Sequence, residues 1–404
     1  MPLRPPAGFI SAFFDPLNNP NAPVSPVATA GDADASIAFT PPTNVGGSAI
    51  SLYSAISTPG GVIGSAASSP VTVSGLSNGT AYTFAVWATN TYGPSAYSVA
   101  TNSVSPSGPR GIFAGGTTDG AGNTYTNTIQ YIVISSTGNA TNFGDLTLKR
   151  RSLTSCASTT RGVFAGGRDI NGFANTNIMD YVTIASTGNA ADFGDLLSAS
   201  TLYAGCSSST RGVFGGNDGN VIQYITIATT GNATDFGDFS ANCYNSTACS
   251  SPTRGLFALG RTSVVSNVIE YVTIATTGNA TDFGDLSVAR QSLAGCSSST
   301  RGVFGGGGTN SGETNVIDFV TIASTGNATD FGDLTLARTE LAACSSNIRG
   351  CWGGGIDAGY QNVIDYVTIA SASNATDFGD LAAITGYSGR NLLTGCSNAS
   401  GGVQ

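Results

Sequence analysis

Hydrophobic positions in this chain fall in short bursts separated by Gly, Pro, Asn and Ser, a pattern that predicts β-strands joined by tight turns. From Ser107 onward one such pattern recurs six times. It is clearest in its fifth copy, Arg301-Gly-Val-Phe-Gly-Gly followed by Asn315-Val-Ile-Asp-Phe-Val-Thr-Ile and, further on, Asp330-Phe-Gly-Asp-Leu334. The Arg-Gly pairs begin at Arg110, Arg161, Arg211, Arg254, Arg301 and Arg349, giving periods of 51, 50, 43, 47 and 48 residues. Each copy predicts four strands: a Gly-ending strand, a long apolar strand, a short strand around Asp-Phe-Gly-Asp, and a small-residue strand such as Leu293-Ala-Gly-Cys-Ser-Ser298. The long strand alternates only weakly, which suits a sheet buried on both faces. Repeats of this length in β-rich sequence predict the blades of a propeller.

A count of strands predicts how such a structure closes. The first copy starts at Arg110 without a Cys strand, and one Cys strand, Leu392-Leu-Thr-Gly-Cys-Ser-Asn398, is left over at the end. The final strand is therefore expected to complete the first blade.

Ahead of the repeats lie two other segments. Residues 23 to 106 alternate β-rich runs with Gly, Pro and Asn turns, as an antiparallel sandwich of about seven strands would. Residues 1 to 22 hold several prolines and an aromatic knot. Phe9, Ile10, Phe13 and Phe14 form a candidate anchor that orders against another protein, or packs on the next domain. The expected domains are thus 1 to 22, 23 to 106 and 107 to 404.

Composition narrows the chemistry. Fifteen basic and 24 acidic residues give a net charge of −9, and Lys149 is the only lysine. Such a surface has no general attraction for phosphate, which argues against nucleic acid as a partner. Histidine is absent, removing the commonest general base and metal ligand. No run reaches membrane-spanning length, and the opening residues lack the apolar core of a secretion signal, so folding in a cytoplasm is expected. Six of eight cysteines keep the repeat phase (Cys156, Cys206, Cys249, Cys296, Cys344, Cys396), and reduced, packed thiols are expected rather than a metal-binding ring. No catalytic set, metal or cofactor is expected.

Other recurring motifs have structural readings. Asp-Phe-Gly invites a kinase interpretation, but no Lys-bearing strand or catalytic loop accompanies it. The six repeat Arg and the Asp of each Gly-Asp-Leu (Asp145, Asp195, Asp238, Asp285, Asp333, Asp380) suggest repeated ion pairs or turn caps. Asn-Ala-Thr at Asn139, Asn232, Asn279, Asn327 and Asn374 is a formal glycosylation sequon, yet Thr-Gly-Asn-Ala reads better as a tight turn.

The copies differ most in two sets of turns, those after Gly-Gly and those after Gly-Asp-Leu. In a four-stranded blade these share one end, whereas Thr-Gly-Asn-Ala and Ser-Ser-Thr-Arg at the other end barely change. Variation confined to one end fits a binding face on a rigid scaffold. That face would collect Tyr125, Arg168, Asp169, Phe173, Tyr203, Asp218, Tyr244, Arg261, Glu313, Asp357, Tyr360 and Tyr387. Aromatic rings beside carboxylates and Arg suit sugars, which offer both apolar patches and hydroxyls.

Three resemblances add to this reading. Ser36-Ile-Ala-Phe-Thr-Pro-Pro42, Gly46 to Tyr53 and Gly75 to Gly93 resemble a fibronectin type III domain, with Leu76 and Tyr82 in the place of that family's tyrosine corner and Phe39 where it often has Trp. The double Gly and the Tyr-bearing strand resemble kelch propellers, with Phe143, Phe193, Phe236, Phe283, Phe331 and Phe378 in place of the usual Trp. Together these imply an all-β fold: an N-terminal fibronectin type III β-sandwich plus a six-bladed kelch-like β-propeller closed by the C-terminal strand. The whole organisation resembles virion structural proteins of tailed bacteriophages, cyanophage-like ones especially. That likeness implies a non-enzymatic role in the virion, multimeric, docked on other virion proteins through residues 1 to 22, adhering to host surface glycan or to neighbouring subunits, without membrane insertion. A decoration or cement protein with no receptor role is the alternative.

Overall fold

The computed structural model describes residues 17–118, 124–170, 174–201, 204–216, 219–384, 386–387 and 389–403. Strands joined by turns make up the fold, and the single turn of 3-10 helix Gly401–Val403 is the one helix among the described residues. The chain divides into two compact units between Gly108 and Pro109.

In the N-terminal unit, β1 (Val24–Ala30), β2 (Asp34–Thr40) and β5 (Val71–Ser74) form one antiparallel sheet. A second contains β3 (Leu52–Thr58), β4 (Ile63–Ala66), β6 (Thr83–Asn90) and β7 (Gly93–Pro94), in the order β4-β3-β6-β7. Alternation sets the faces: β6 buries Phe84, Val86, Ala88 and Asn90 and leaves the residues between them half exposed. These pack with Ile37, Ala55, Val71 and Val73 in one core. Phe39 meets Tyr53 there at 5.0 Å between ring centroids. Tyr82 is buried, and its hydroxyl accepts the Ser77 backbone N–H at 3.1 Å, so the ring enters the core without stranding its polar tip. Beyond β6, Ser95, Ser98 and Thr101 each donate a backbone N–H to that strand and accept one with a hydroxyl, covering an edge that would otherwise be open to pairing.

The second unit holds six four-stranded antiparallel sheets of one design. In the second sheet, for example, the order is Thr154–Ala157, Arg161–Ala165, Ile178–Thr183, Ala191–Asp195. The first sheet draws its small-residue strand from the far end of the chain: Thr394–Ser397 lies beside Arg110–Ala114, with Cys396 opposite Ile112. Contacts between sheets run in a cycle. Each small-residue strand touches that of the next sheet, and Thr154–Ala157 of the second touches Thr394–Ser397 of the first. Six apolar clusters follow the same order, each between consecutive sheets; the one joining sixth to first combines Cys344, Ile364 and Phe378 with Phe113, Ile132 and Ile134.

The repeated residues make the same junction each time. Each repeat Cys presses on the Gly of the following sheet's Arg-Gly pair: a Cβ on Gly255 would lie 2.6 Å from Cys206 Sγ, and one on Gly111 or Gly212 would overlap Cys344 or Cys156 outright. Each repeat Arg lies over the aromatic ring of its own long strand, at 4.3 to 4.7 Å. The same guanidinium donates to an Ile carbonyl of the next sheet, as Arg161 does to Ile227, and Arg349 of the sixth sheet reaches Ile134 of the first. The repeat Asp is therefore not its partner, and no ion pair joins the two among the described residues. Instead, each Asp backbone N–H donates to the turn Asn of the next sheet, from Asp145 with Asn189 round to Asp380 with Asn139. Flanking backbone bonds such as Ala190 N–H to Asp145 complete the pairing of each outer strand's free edge.

Ion pairs occur one layer deeper. Arg150, Arg290 and Arg338 hold Asp180, Asp318 and Asp365 at 2.7 to 2.8 Å, fully buried. In the first sheet Arg390 meets the neutral Gln130 at 3.2 Å. In the fourth, the buried Glu270 accepts from Ser240, with Cys243 close by.

Candidate ligand-binding end of the repeat unit

The two variable sets of turns lie together. The backbones of Tyr244 and Arg261 exchange N–H···O bonds, as do Gln291 with Gly308, Thr339 with Ile356, and Asn391 with Thr117. In the second copy Arg151 is paired with Arg168 in a short two-stranded ladder of its own. In five of the six copies the turn after Gly-Gly is thus tied to the segment that leads into the same sheet's small-residue strand.

One residue beyond each tie the backbone enters the left-handed region. Ser152, Asn245, Ser292, Glu340 and Leu392 have φ between 50° and 59°. None is glycine, so each carries a steric cost. Their peptides are linked in series: Ser292 N–H donates to Asn245, Glu340 to Ser292, Leu392 to Glu340 and Ser152 to Leu392, at 2.9 to 3.0 Å. The five also line the mouth of a cavity of about 130 Å³ between the small-residue strands. At about 30 Å³ each, roughly four waters would fill it.

Beyond this cavity the axis narrows to about 50 Å³ between the layers of repeat Cys and Ser. Hydroxyls there pass from sheet to sheet: Ser250, Ser297, Ser345 and Ser397 each donate to the carbonyl of the previous sheet's Ser and accept its N–H. Ala157 holds that place in the second sheet. The repeat thiols are free and buried; burial raises the pKa of five of them, to about 12 for Cys396, and a hydrogen bond with Cys351, then burial, raises that of Cys344. Such thiols are protonated and inert as ligands or nucleophiles at neutral pH. Gly401 and Gly402 are wedged against the carbonyls of Ser298 and Ser207, so the last turn closes this end.

Of the residues expected on the variable face, Glu313 and Asp357 are exposed and Tyr387 is 43 % exposed. Arg168, Asp169, Tyr244, Arg261 and Tyr360 are half-buried. Arg261 stands over Tyr244 at 5.9 Å. Tyr125 is a correction: it is 3 % exposed, with Arg151 at 4.9 Å over its ring, and it supports the face from within. Phe173, Tyr203 and Asp218 lie outside the described residues, as do Phe9, Ile10, Phe13 and Phe14.

Sequence reasoning missed the residues at the mouth itself. Glu340 is half-buried, and one carboxylate oxygen accepts Asn391 Nδ2 at 2.6 Å. Burial pushes its pKa up, against the bond from Asn391 and the charge of Arg151, which pull it down. Across the mouth Asn245 Nδ2 donates to Gln291 Oε1 at 3.3 Å. Among the described residues no group of three or more His, Cys, Asp or Glu is placed to hold a metal ion. No protein-family model matches this chain, and no curated protein matches it.

Proposed function

We propose that the second unit is a six-bladed, kelch-like β-propeller, that the first is a fibronectin type III sandwich serving as a spacer, and that the chain is a non-enzymatic adhesion protein of a tailed-phage virion. The propeller reading is supported by six equivalent sheets whose contacts return from sixth to first and by the pairing of the last strand with Arg110–Ala114. The sandwich reading is supported by the two facing sheets and by the Tyr82 hydroxyl on Ser77.

Adhesion rests on one observation. In five of the six copies the turns that differ are tied into a single end of the unit, around an open cavity, whereas the turns of the other end are committed to contacts between sheets. A rigid body that varies at one end suits recognition by shape, stacking and hydrogen bonds. Surface glycan is the ligand class that fits a face presenting tyrosine rings beside carboxylates and Arg. In this reading the protein resides in the virion, attached through residues 1 to 22.

The test is a glycan array probed with the full chain. Saturable binding to a small set of related glycans is the expected result. A blank array, with copurification of a capsid or tail protein that depends on Phe9, Phe13 and Phe14, overturns adhesion in favour of a decoration role.

A further inference from the structure

We infer that the axial cavity is the binding site for one terminal neutral sugar of a glycan, with the Glu340 carboxylate accepting its hydroxyls. The inference rests on the adhesion reading and gives it a definite site.

The cavity is a pit with one entrance. Its floor narrows between the buried Cys and Ser layers, and the Gly401–Val403 turn closes the far end, so a ligand enters only from the variable face. Its wall is polar but almost uncharged. Hydroxyls, peptide groups and small side chains supply most of it, and among the described residues Glu340 is the one ionisable side chain lining it. Arg151 lies near enough to act on that carboxylate, so the mouth has no large net charge. An anion would meet the Glu340 carboxylate with no Arg or Lys among the described lining residues to hold it, and a bare cation lacks, among the described residues, the several hard ligands it needs. An apolar ligand would strand the polar wall. A neutral polyol satisfies it.

Hydrogen bonding at Glu340 is incomplete in the way such a ligand would correct. The carboxylate receives one bond, from Asn391 Nδ2, and is half-buried. Two adjacent hydroxyls of a pyranose can bond both oxygens of one carboxylate, and burial strengthens each bond. Glu340 also breaks the symmetry of the mouth, where Ser152, Asn245, Ser292 and Leu392 hold the equivalent places. A sugar would therefore bind in one orientation.

The test uses the full chain titrated by NMR with methyl α-mannoside, methyl β-galactoside, methyl α-glucoside and N-acetylglucosamine, alongside Glu340→Gln and Glu340→Gly. At least one neutral sugar should bind at millimolar concentration and shift the amides of Ser152, Asn245, Ser292 and Leu392. Both variants should weaken it about tenfold or more. Glu340→Gly removes the strain of a φ of 59° but leaves Asn391 Nδ2 without its acceptor, whereas Glu340→Gln keeps an amide oxygen for that bond and should melt as the parent does. Lost binding in a variant that melts no earlier separates recognition from folding. Equal affinity in either variant, or shifts produced only by calcium or choline, overturns the inference. Shifts confined to turn tips around Arg168, Arg261 and Tyr387 also overturn the axial site while leaving adhesion intact, whereas no response to any sugar, together with a blank glycan array, removes both.

Discussion

Replacing Gly111 by Ala tests how the sixth sheet meets the first. A Cβ at residue 111 would overlap the Cys344 thiol and lie 3.2 Å from Ile132 Cγ1. Carbon atoms pack at about 3.5–4.0 Å, so a side chain or a sheet must move. Overpacking of this kind costs about 1–3 kcal/mol, offset by about 0.4–1 kcal/mol because Ala restricts the unfolded chain. Calorimetry of the full chain should show a fall of roughly 2–8 °C in the melting of the repeat unit. An internal control is available. At Gly162 the equivalent Cβ would sit 3.2 Å from Cys396 Sγ with its other neighbours at 3.6 Å, so Gly162→Ala should cost little. In a Cys344→Ala background the thiol is gone, and Gly111→Ala should become nearly neutral, a coupling of about 1 kcal/mol or more. If Gly111→Ala is as stable as the parent, or costs the same with and without the Cys344 thiol, the two sheets do not interlock as described.

Other expectations follow from the buried polar groups. Burial raises the thiol pKa of Cys156, Cys206, Cys243, Cys249, Cys296 and Cys396, and a hydrogen bond with Cys351, then burial, raises that of Cys344. Above about pH 9 the unfolded thiols ionise while the folded ones keep their protons, so stability is full below that pH and is lost as pH rises; each thiol contributes about 1.4 kcal/mol per pH unit. Melting under reducing conditions should therefore fall steeply from pH 9 to 11, and Cys206→Ala should flatten that slope. Arg390 is buried against a neutral amide, and desolvation pushes its pKa down to about 9; Gln130→Glu should give it a counter-ion and raise stability by roughly 1–2 kcal/mol in urea titrations. Tyr82→Phe leaves the Ser77 N–H without its acceptor and should cost the N-terminal unit about 1 kcal/mol by the same measurement.

What could be read from the sequence was what the junctions repeat. Gly and Cys recur because one must be empty where the other protrudes, and Phe and Tyr recur because they meet edge to face at 5.8 to 6.0 Å in every sheet. The leftover Cys strand pointed to Arg110–Ala114 by counting alone. Partners were harder to read, since position within a repeat does not reveal which neighbour a side chain reaches. The repeat Arg thus bonds Ile carbonyls across the junction, and the buried ion pairs belong to arginines in turns that vary. A signal for the latter was present: the residue directly before the Tyr or Phe of each long strand is polar amid apolar neighbours (Gln130, Asp180, Gln223, Glu270, Asp318, Asp365). Tyr125 turned inward because Arg151 covers its ring, which composition cannot foretell. The mouth had no residue signature at all, for Ser, Asn, Glu and Leu share only a backbone angle there.

The most direct measurement of the whole arrangement is a cross-link between the ends of the repeat region. Cys396 lies directly opposite Ile112 on the neighbouring antiparallel strand, and such pairs fall within disulfide reach. Ile112→Cys in the full chain, oxidised mildly and mapped by mass spectrometry, should yield an intramolecular bond from position 112 to Cys396 in monomeric protein. Both positions remaining free, or position 112 joining some other cysteine, would contradict a unit closed by its last strand.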